Sequence, residues 1–219
     1  AALDSLRDQG ARVVEVDLPN IASAIAAYYA IAPCEAFSNL ARFDGVRYGY
    51  QEPDCATLAQ QTSLSRAHGF GEEAKRRQML GAYLLSSGVY EKYYYPAQQV
   101  RTLITQDYAR AYQSCDVILL PSAPTTAWRF GDVSDPTQMY ASDMFTISNN
   151  ICGNGGVSVP LGLSAQTHMP VSAQLQGPAF SDRRLLRFAR AIERGVDQGL
   201  GLGGGAPVAP AFAGRGGDL

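Results

Sequence analysis

The sequence is short of the residues that build many kinds of site. It holds two histidines, four cysteines and one tryptophan in 219 residues. His68 precedes a glycine and His168 sits in the turn THMP, so neither fits the pattern of a serine–histidine–carboxylate triad. Cys34, Cys55, Cys115 and Cys152 form no CxxC pair, which leaves out a patterned zinc site or disulfide framework. They read as free, mostly buried thiols of a cytoplasmic protein. Positive charge is not in excess either: 18 Lys and Arg face 20 Asp and Glu, a formal net charge of −2. Lys75-Arg76-Arg77 is the one basic run, so no nucleic-acid patch or anionic-membrane surface is expected. No apolar run of about 18 residues suggests a membrane span. No basic-then-apolar leader opens the chain, and its first residue is not Met. The start AALDSLRDQGARVVEVDLP reads as a chain entered midway through an α/β fold, that is, as a fragment.

What is present is the composition of a globular protein: 46% hydrophobic and 17% charged residues, enough for one sizeable core. Leu3 and Leu6 share one side of a short helix, Gly10 ends it, and ARVVEVD alternates like a strand. Residues 21–43 form an Ala-rich apolar segment, expected as a buried helix broken near Pro33. Residues 56–66 read as a short amphipathic helix. In GFGEEAKRRQMLGAYLLSSG (69–88) the stripe Met79, Leu80, Tyr83 and Leu84 marks a buried face, with Glu72 and Glu73 favouring the helix start. AQQVRTLITQDYARAYQS carries the strongest helical stripe: Val100, Leu103, Ile104, Tyr108, Ala111 and Tyr112. DVILLP, VSVPLGLS (157–164) and PVSAQLQG (170–177) read as strands, and SDRRLLRFARAIERG as a helix capped by Ser181. The fold class is α/β, with a mixed central sheet covered by helices on both faces. One domain portion is expected over 1–196, and a Gly/Pro-rich disordered tail over 197–219.

Few places invite chemistry. CGNGG (152–156) precedes a strand rather than a helix, so it reads as a tight turn, not a phosphate loop. Ser86-Ser87 reads as a polar helix end. SNLARFDGVRYGY (38–50) reads as a salt-bridged turn of Arg42, Asp44 and Arg47, with Asp44-Gly45 making the bend. The arginines of the KRR run and Asp143 of MYASD could together hold a zwitterion, since Arg takes a carboxylate bidentately and Asp an ammonium. An exposed Arg and a helix-capping Asp satisfy the same pattern.

The blocks YYAIAPCEAFSNLARFDGVRYGY, GFGEEAKRRQMLGAYLLSSG, QVRTLI, LLPSAPTTAW and MYASDMFT occur in the order found in one family. The chain resembles the amidase signature family, in its branch of A subunits of glutamyl-tRNA(Gln) amidotransferases, over about residues 1–195. It matches the C-terminal half of such subunits. The resemblance implies glutamine hydrolysis by a Ser-Ser-Lys triad, with a lysine acting through a bridging serine and backbone amides holding the oxyanion. The triad blocks have no counterpart here, and Lys75 and Lys92 stand in other blocks. No catalytic residue and no metal ligand is therefore expected in this chain, which would be inactive alone. The resemblance assigns the glutamine α-carboxylate to Arg77, the α-amino group to Asp143 and a pocket wall to Tyr28, with Tyr29 its neighbour. It implies B and C subunits as partners, ATP and Mg²⁺ used by the partner, tRNA reached indirectly through the B subunit, and no membrane. A fragment of another small-amide hydrolase, or a non-catalytic assembly remnant, are the alternative readings.

Two departures from the family pattern stand out. NICGNGGVSVP replaces a block like NLAGLPAISVP, and PVSAQLQG replaces one like PVGLQLIG. A polar Gln176 in place of a buried aliphatic is costly unless it finds a partner.

Overall fold

Ala2 and Leu6, one turn apart, form the buried side of the first helix, α1 (Ala2–Asp8). Gly10, at a φ of +91° that a side chain resists, follows its end. The computed structural model describes residues 2–133 and 135–200. The segment after Gly10 differs from its expected strand. Val14, Val16 and Leu18 are half-buried and Glu15 and Asp17 exposed, yet residues 11–18 pair with no strand among the described residues. The alternation is present and the ladder is not.

A 3₁₀ turn (Ile21–Ser23) leads into α2 (Ala24–Leu40), which runs unbroken through Pro33 rather than stopping there. Ile21–Leu40 also reaches, at a mean hydropathy of 1.2, the length and composition of a membrane-crossing helix, contrary to the expectation of no such run. Its apolarity comes largely from alanine, and Pro33 and Cys34 are buried. Two helices follow, α3 (Leu58–Gly69) and α4 (Glu72–Leu84). Thr57 caps the first by accepting the Gln60 N–H at 3.1 Å. The buried side of α4 is Gln78, Gly81 and Leu84, whereas Met79, Leu80 and Tyr83 are exposed. Close approach explains the change: a Cβ on Gly81 would lie 2.1 Å from the Pro33 carbonyl oxygen. The side of α4 that meets α2 is centred on a glycine, not on the bulkiest residues.

In α5 (Tyr90–Ala111), Ile104, Tyr108 and Ala111 are buried as the stripe predicts, while Leu103 is exposed. Asp107, absent from the stripe, is fully buried. Its carboxylate accepts the Asn20 backbone N–H at 2.8 Å and the Asn20 side-chain amide at 3.0 Å, and pairs with Arg110. A buried carboxylate persists only with such partners.

The chain divides into two compact units, Ala26–Arg101 and Ala1–Ile25 together with the chain from Thr102 onward. Both boundaries fall inside helices, so no linker composition marks them. The second unit contains the sheet: β1 (Ile118–Pro121), then short α6 (Pro136–Ala141) and α7 (Ile147–Cys152), β2 (Gly155–Leu163), β3 (Pro170–Gly177) and α8 (Asp182–Leu200). The strands lie in the order β1-β3-β2, antiparallel throughout. On one face Val159 and Leu175 pack with Leu6, Leu185, Ala189, Ile192 and Val196. On the other, Gln174 and Gln176 reach the Phe145 carbonyl, and Gln176 meets Tyr108 of α5. The α/β class with helical cover on both faces is therefore the observed architecture.

Gly153 ends α7 at a φ of +73° and the strand begins at Gly155, the tight turn expected of CGNGG. Gly155 pairs with Gly177, and a Cβ on either would crowd the methyls of Leu185, at 2.9 and 3.1 Å. The glycine departure thus makes a notch that seats the first buried leucine of α8. Ser181 differs from its expected capping role. Its carbonyl accepts the Arg184 and Leu185 N–H groups, but its buried hydroxyl has no partner among the described residues. The four cysteines are free as expected, though Cys34 alone is fully buried. The tail expected over 197–219 lies, from 201 on, outside the described residues; α8 itself extends to Leu200.

Candidate functional site

Tyr28 lies on α2 and Arg77 on α4, each about one turn from the close crossing of Pro33 and Gly81. That crossing brings them together. Arg77 donates through Nε to Glu73 Oε1 at 2.8 Å, an i,i+4 pair along α4. Glu73 holds the guanidinium in its charged form, and the Tyr28 hydroxyl adds to this, raising Arg77 above its ordinary value. Tyr28 and Tyr29 meet edge to face, with ring centroids 5.1 Å apart. Arg76, the other arginine of the run, is more exposed and turns to the second oxygen of Glu73. Arg77 keeps 36% of its side-chain surface, enough to meet a ligand.

Asp143 belongs to the other unit, in the turn between α6 and α7. It is half-buried, and its carbonyl accepts the Thr146 and Ile147 N–H groups at 2.9 and 3.0 Å, which starts α7. The turn is held from below by side chains of β3. Gln174 and Gln176 each donate an amide N–H to the Phe145 carbonyl, at 2.7 and 3.0 Å. Tyr108 donates to Gln176 Oε1 at 2.7 Å and shares a hydrogen bond of 2.9 Å with Ser148. Gln176, Ser148 and Tyr108 have almost no solvent contact, and burial pushes the Tyr108 phenol up to about 12. Gln176 has found the partners its burial demands. Sequence reasoning identified the demand but not Tyr108 as the donor, since an aromatic in a helical stripe carries no sign of its hydroxyl's partner.

The block around SNLARFDGVRYGY bends as expected, with Asp44 accepting the Val46 N–H at 2.9 Å and Gly45 at a φ of +78°. The expected ion pairs are not what holds it. Arg66 of α3, which sequence reasoning missed, donates to the Leu40 and Phe43 carbonyls at 2.9 and 2.8 Å and to Gln78 at 2.6 Å. Beside it, Glu52 accepts from the Tyr50 hydroxyl at 2.9 Å and contacts His68 at 2.8 Å, and the His68 contact, with Tyr50, holds its carboxyl below the usual range. These contacts serve the loop. Among the described residues no group of three His, Cys, Asp or Glu is placed to hold a metal.

The amidase family model matches residues 1–186. The chain belongs to the amidase family. It is 49% identical over 198 residues to the A subunit of glutamyl-tRNA(Gln) amidotransferase from Corynebacterium glutamicum, an alignment covering 89% of this chain and 40% of that one. The corresponding A subunit from Aromatoleum aromaticum is 52% identical over 198 residues, covering 90% and 40%. A crystal structure of the glutamyl-tRNA(Gln) amidotransferase A subunit from Thermotoga maritima superposes with a TM-score of 0.61 at 36% identity, over 88% of this chain and 37% of that one. The chain thus spans about 40% of the length of the relatives it matches. Within the amidase family, it resembles part of an A subunit.

Proposed function

We propose that this chain is the C-terminal portion of the glutamine-hydrolysing A subunit of a glutamyl-tRNA(Gln) amidotransferase, and that it supplies the ligand-holding half of the glutaminase site. Arg77 takes the α-carboxylate of glutamine, Tyr28 lines the pocket and Asp143 takes the α-ammonium. The observation that carries the reading is the Tyr28–Arg77–Glu73 cluster. A partly exposed guanidinium is fixed through Nε by Glu73, so that its terminal nitrogens can receive a carboxylate in parallel. A neutral amide would need no such cation. The Ser-Ser-Lys triad belongs to the portion of the A subunit that this chain does not span. Ammonia released there passes to a B subunit, which uses ATP and Mg²⁺ to amidate Glu-tRNA(Gln) in a cytoplasmic complex with a C subunit.

The test is Arg77→Ala in the complete protein, assayed with glutamine and with a neutral amide. Loss of a charge-assisted pair predicts a KM for glutamine raised roughly 10-fold to 100-fold, with the neutral amide changed by less than about 3-fold. Equal effects on the two substrates would overturn the assignment.

A further inference from the structure

The outer side of α8 carries arginine at positions 183, 187, 190 and 194, spaced i, i+4, i+7 and i+11, which places them along one face of a helix. All four are exposed. They line, with Gln9 and Leu186, an open groove of about 600 Å³. A neighbouring groove of about 510 Å³ adds Arg12 next to Arg187. Between Asp182 and Arg194 there are five arginines and two acids, a local excess of +3 in a chain whose net charge is −2. The acids neutralise little of the strip. Arg183 and Arg187 form no ion pair among the described residues, and Arg190 reaches Glu193 only at 3.4 Å. Asp116 lines the second groove with Arg12 and Arg187, where it pairs with Arg184 at 3.0 Å.

We propose that this arginine face docks the phosphate backbone of a structured RNA, so that the chain touches the tRNA directly and not only through a partner subunit. The proposal rests on the function given above, which brings a tRNA to the assembled enzyme. The chemistry favours RNA over other anionic surfaces. The centre of a protein interface is depleted of charge and anchored by aromatic residues, whereas this face offers guanidinium groups and a single exposed Leu186. A membrane-bound helix inserts its apolar side, but the apolar side of α8, Leu185, Ala189, Ile192 and Val196, is already buried on the sheet. From Arg183 to Arg194 the strip is about 16 Å long, at about 1.5 Å per residue, enough to follow several successive phosphates. Guanidinium forks bind phosphate oxygens in parallel pairs and carry no base specificity.

The experiment uses the complete amidotransferase with Arg183→Gln, Arg187→Gln and Arg190→Gln combined, and measures tRNA affinity across a salt series. Removing one arginine–phosphate pair lowers the slope of log K against log salt by about one. The expected result is a tRNA Kd raised about 10-fold near 0.1 M salt, a slope smaller by two to three, and glutamine hydrolysis without tRNA unchanged. An intact complex whose Kd and slope match the unsubstituted enzyme would overturn the proposal. So would a variant complex that falls apart, because the face would then be an interface between subunits. If the unsubstituted complex bound no tRNA, the amidotransferase reading would fail along with it. Binding by the unsubstituted complex with no effect of the variant sinks the arginine face alone.

Discussion

Gln176 shows how one polar residue is accommodated where an aliphatic one would fit. Its side chain is fully buried, yet its oxygen accepts from Tyr108 and its amide donates to Phe145 and Gln174. The two halves of the network are not equally replaceable. If Gln176 is lost, the Phe145 carbonyl keeps Gln174 and the Tyr108 hydroxyl keeps Ser148, and the one acceptor that loses its donor is Gln174 Oε1, on a residue that keeps 7% of its surface. If the Tyr108 hydroxyl is lost, Gln176 Oε1 is left without that donor inside the core. Tyr108→Phe should therefore destabilise the complete protein by about 1–3 kcal/mol, the cost of an unsatisfied buried acceptor. Gln176→Leu should cost less, about 1 kcal/mol. Combining the two should recover part of the Tyr108→Phe loss, because both partners of the bond are then gone. Urea denaturation of the two single variants and the double one measures the coupling. Strictly additive losses would show that the hydroxyl and the amide do not act on each other.

At the scale of helices and strands, the crossing of α2 and α4 is the contact on which the candidate site depends. Gly81 permits it, since any side chain there meets backbone at Pro33 and the Cβ of Phe37, neither of which can swing away. Gly81→Ala should cost about 1–3 kcal/mol by overpacking, and in the complete protein it should raise the KM for glutamine as Tyr28 and Arg77 are pushed apart. A lower unfolding midpoint with an unchanged KM would separate the crossing from the site. Periodicity made the core of α5 and the buried face of α8 legible, because burial there follows one face of a regular element; β2 and β3 were legible as short segments on either side of a polar turn, β3 being buried on both faces in its second half. Periodicity misplaced the buried side of α4 for a physical reason: a stripe of large apolar residues marks a buried face only when the neighbour leaves room for them. Asp107 stayed hidden because its partner Asn20 is distant in sequence. A run of charge along the sequence does not reveal the arginine face of α8, because a helix assembles it at intervals of three and four. For the proposed ligand residues, order of motifs pointed to Tyr28 and Arg77, and the structure adds that these two meet while Asp143 stands in the other unit.

For the chain as a whole, what is unpaired matters as much as what is packed. In its sheet β3 is central, and among the described residues β1 and β2 each pair on one side only, which leaves an edge of N–H and C=O groups on each. The segment 11–18 keeps the alternation of a strand without a partner among the described residues. Leu58, Met79, Tyr83, Leu103 and Phe130 are exposed large side chains. Open edges and scattered apolar surface promote association between chains. The relatives are more than twice as long, with about 60% of their length outside the alignment. Under the function proposed above, the rest of an A subunit covers these surfaces. The 219-residue chain expressed by itself should then self-associate and bind a hydrophobic dye, and should hydrolyse no glutamine. Joined to the remaining portion of an A subunit, it should elute as a defined species and regain hydrolysis. Size-exclusion chromatography with a glutaminase assay on both preparations decides the matter. A monodisperse isolated chain whose exposed residues bind no dye would mean that its edges need no cover, and measurable hydrolysis by it would place a nucleophile within these residues.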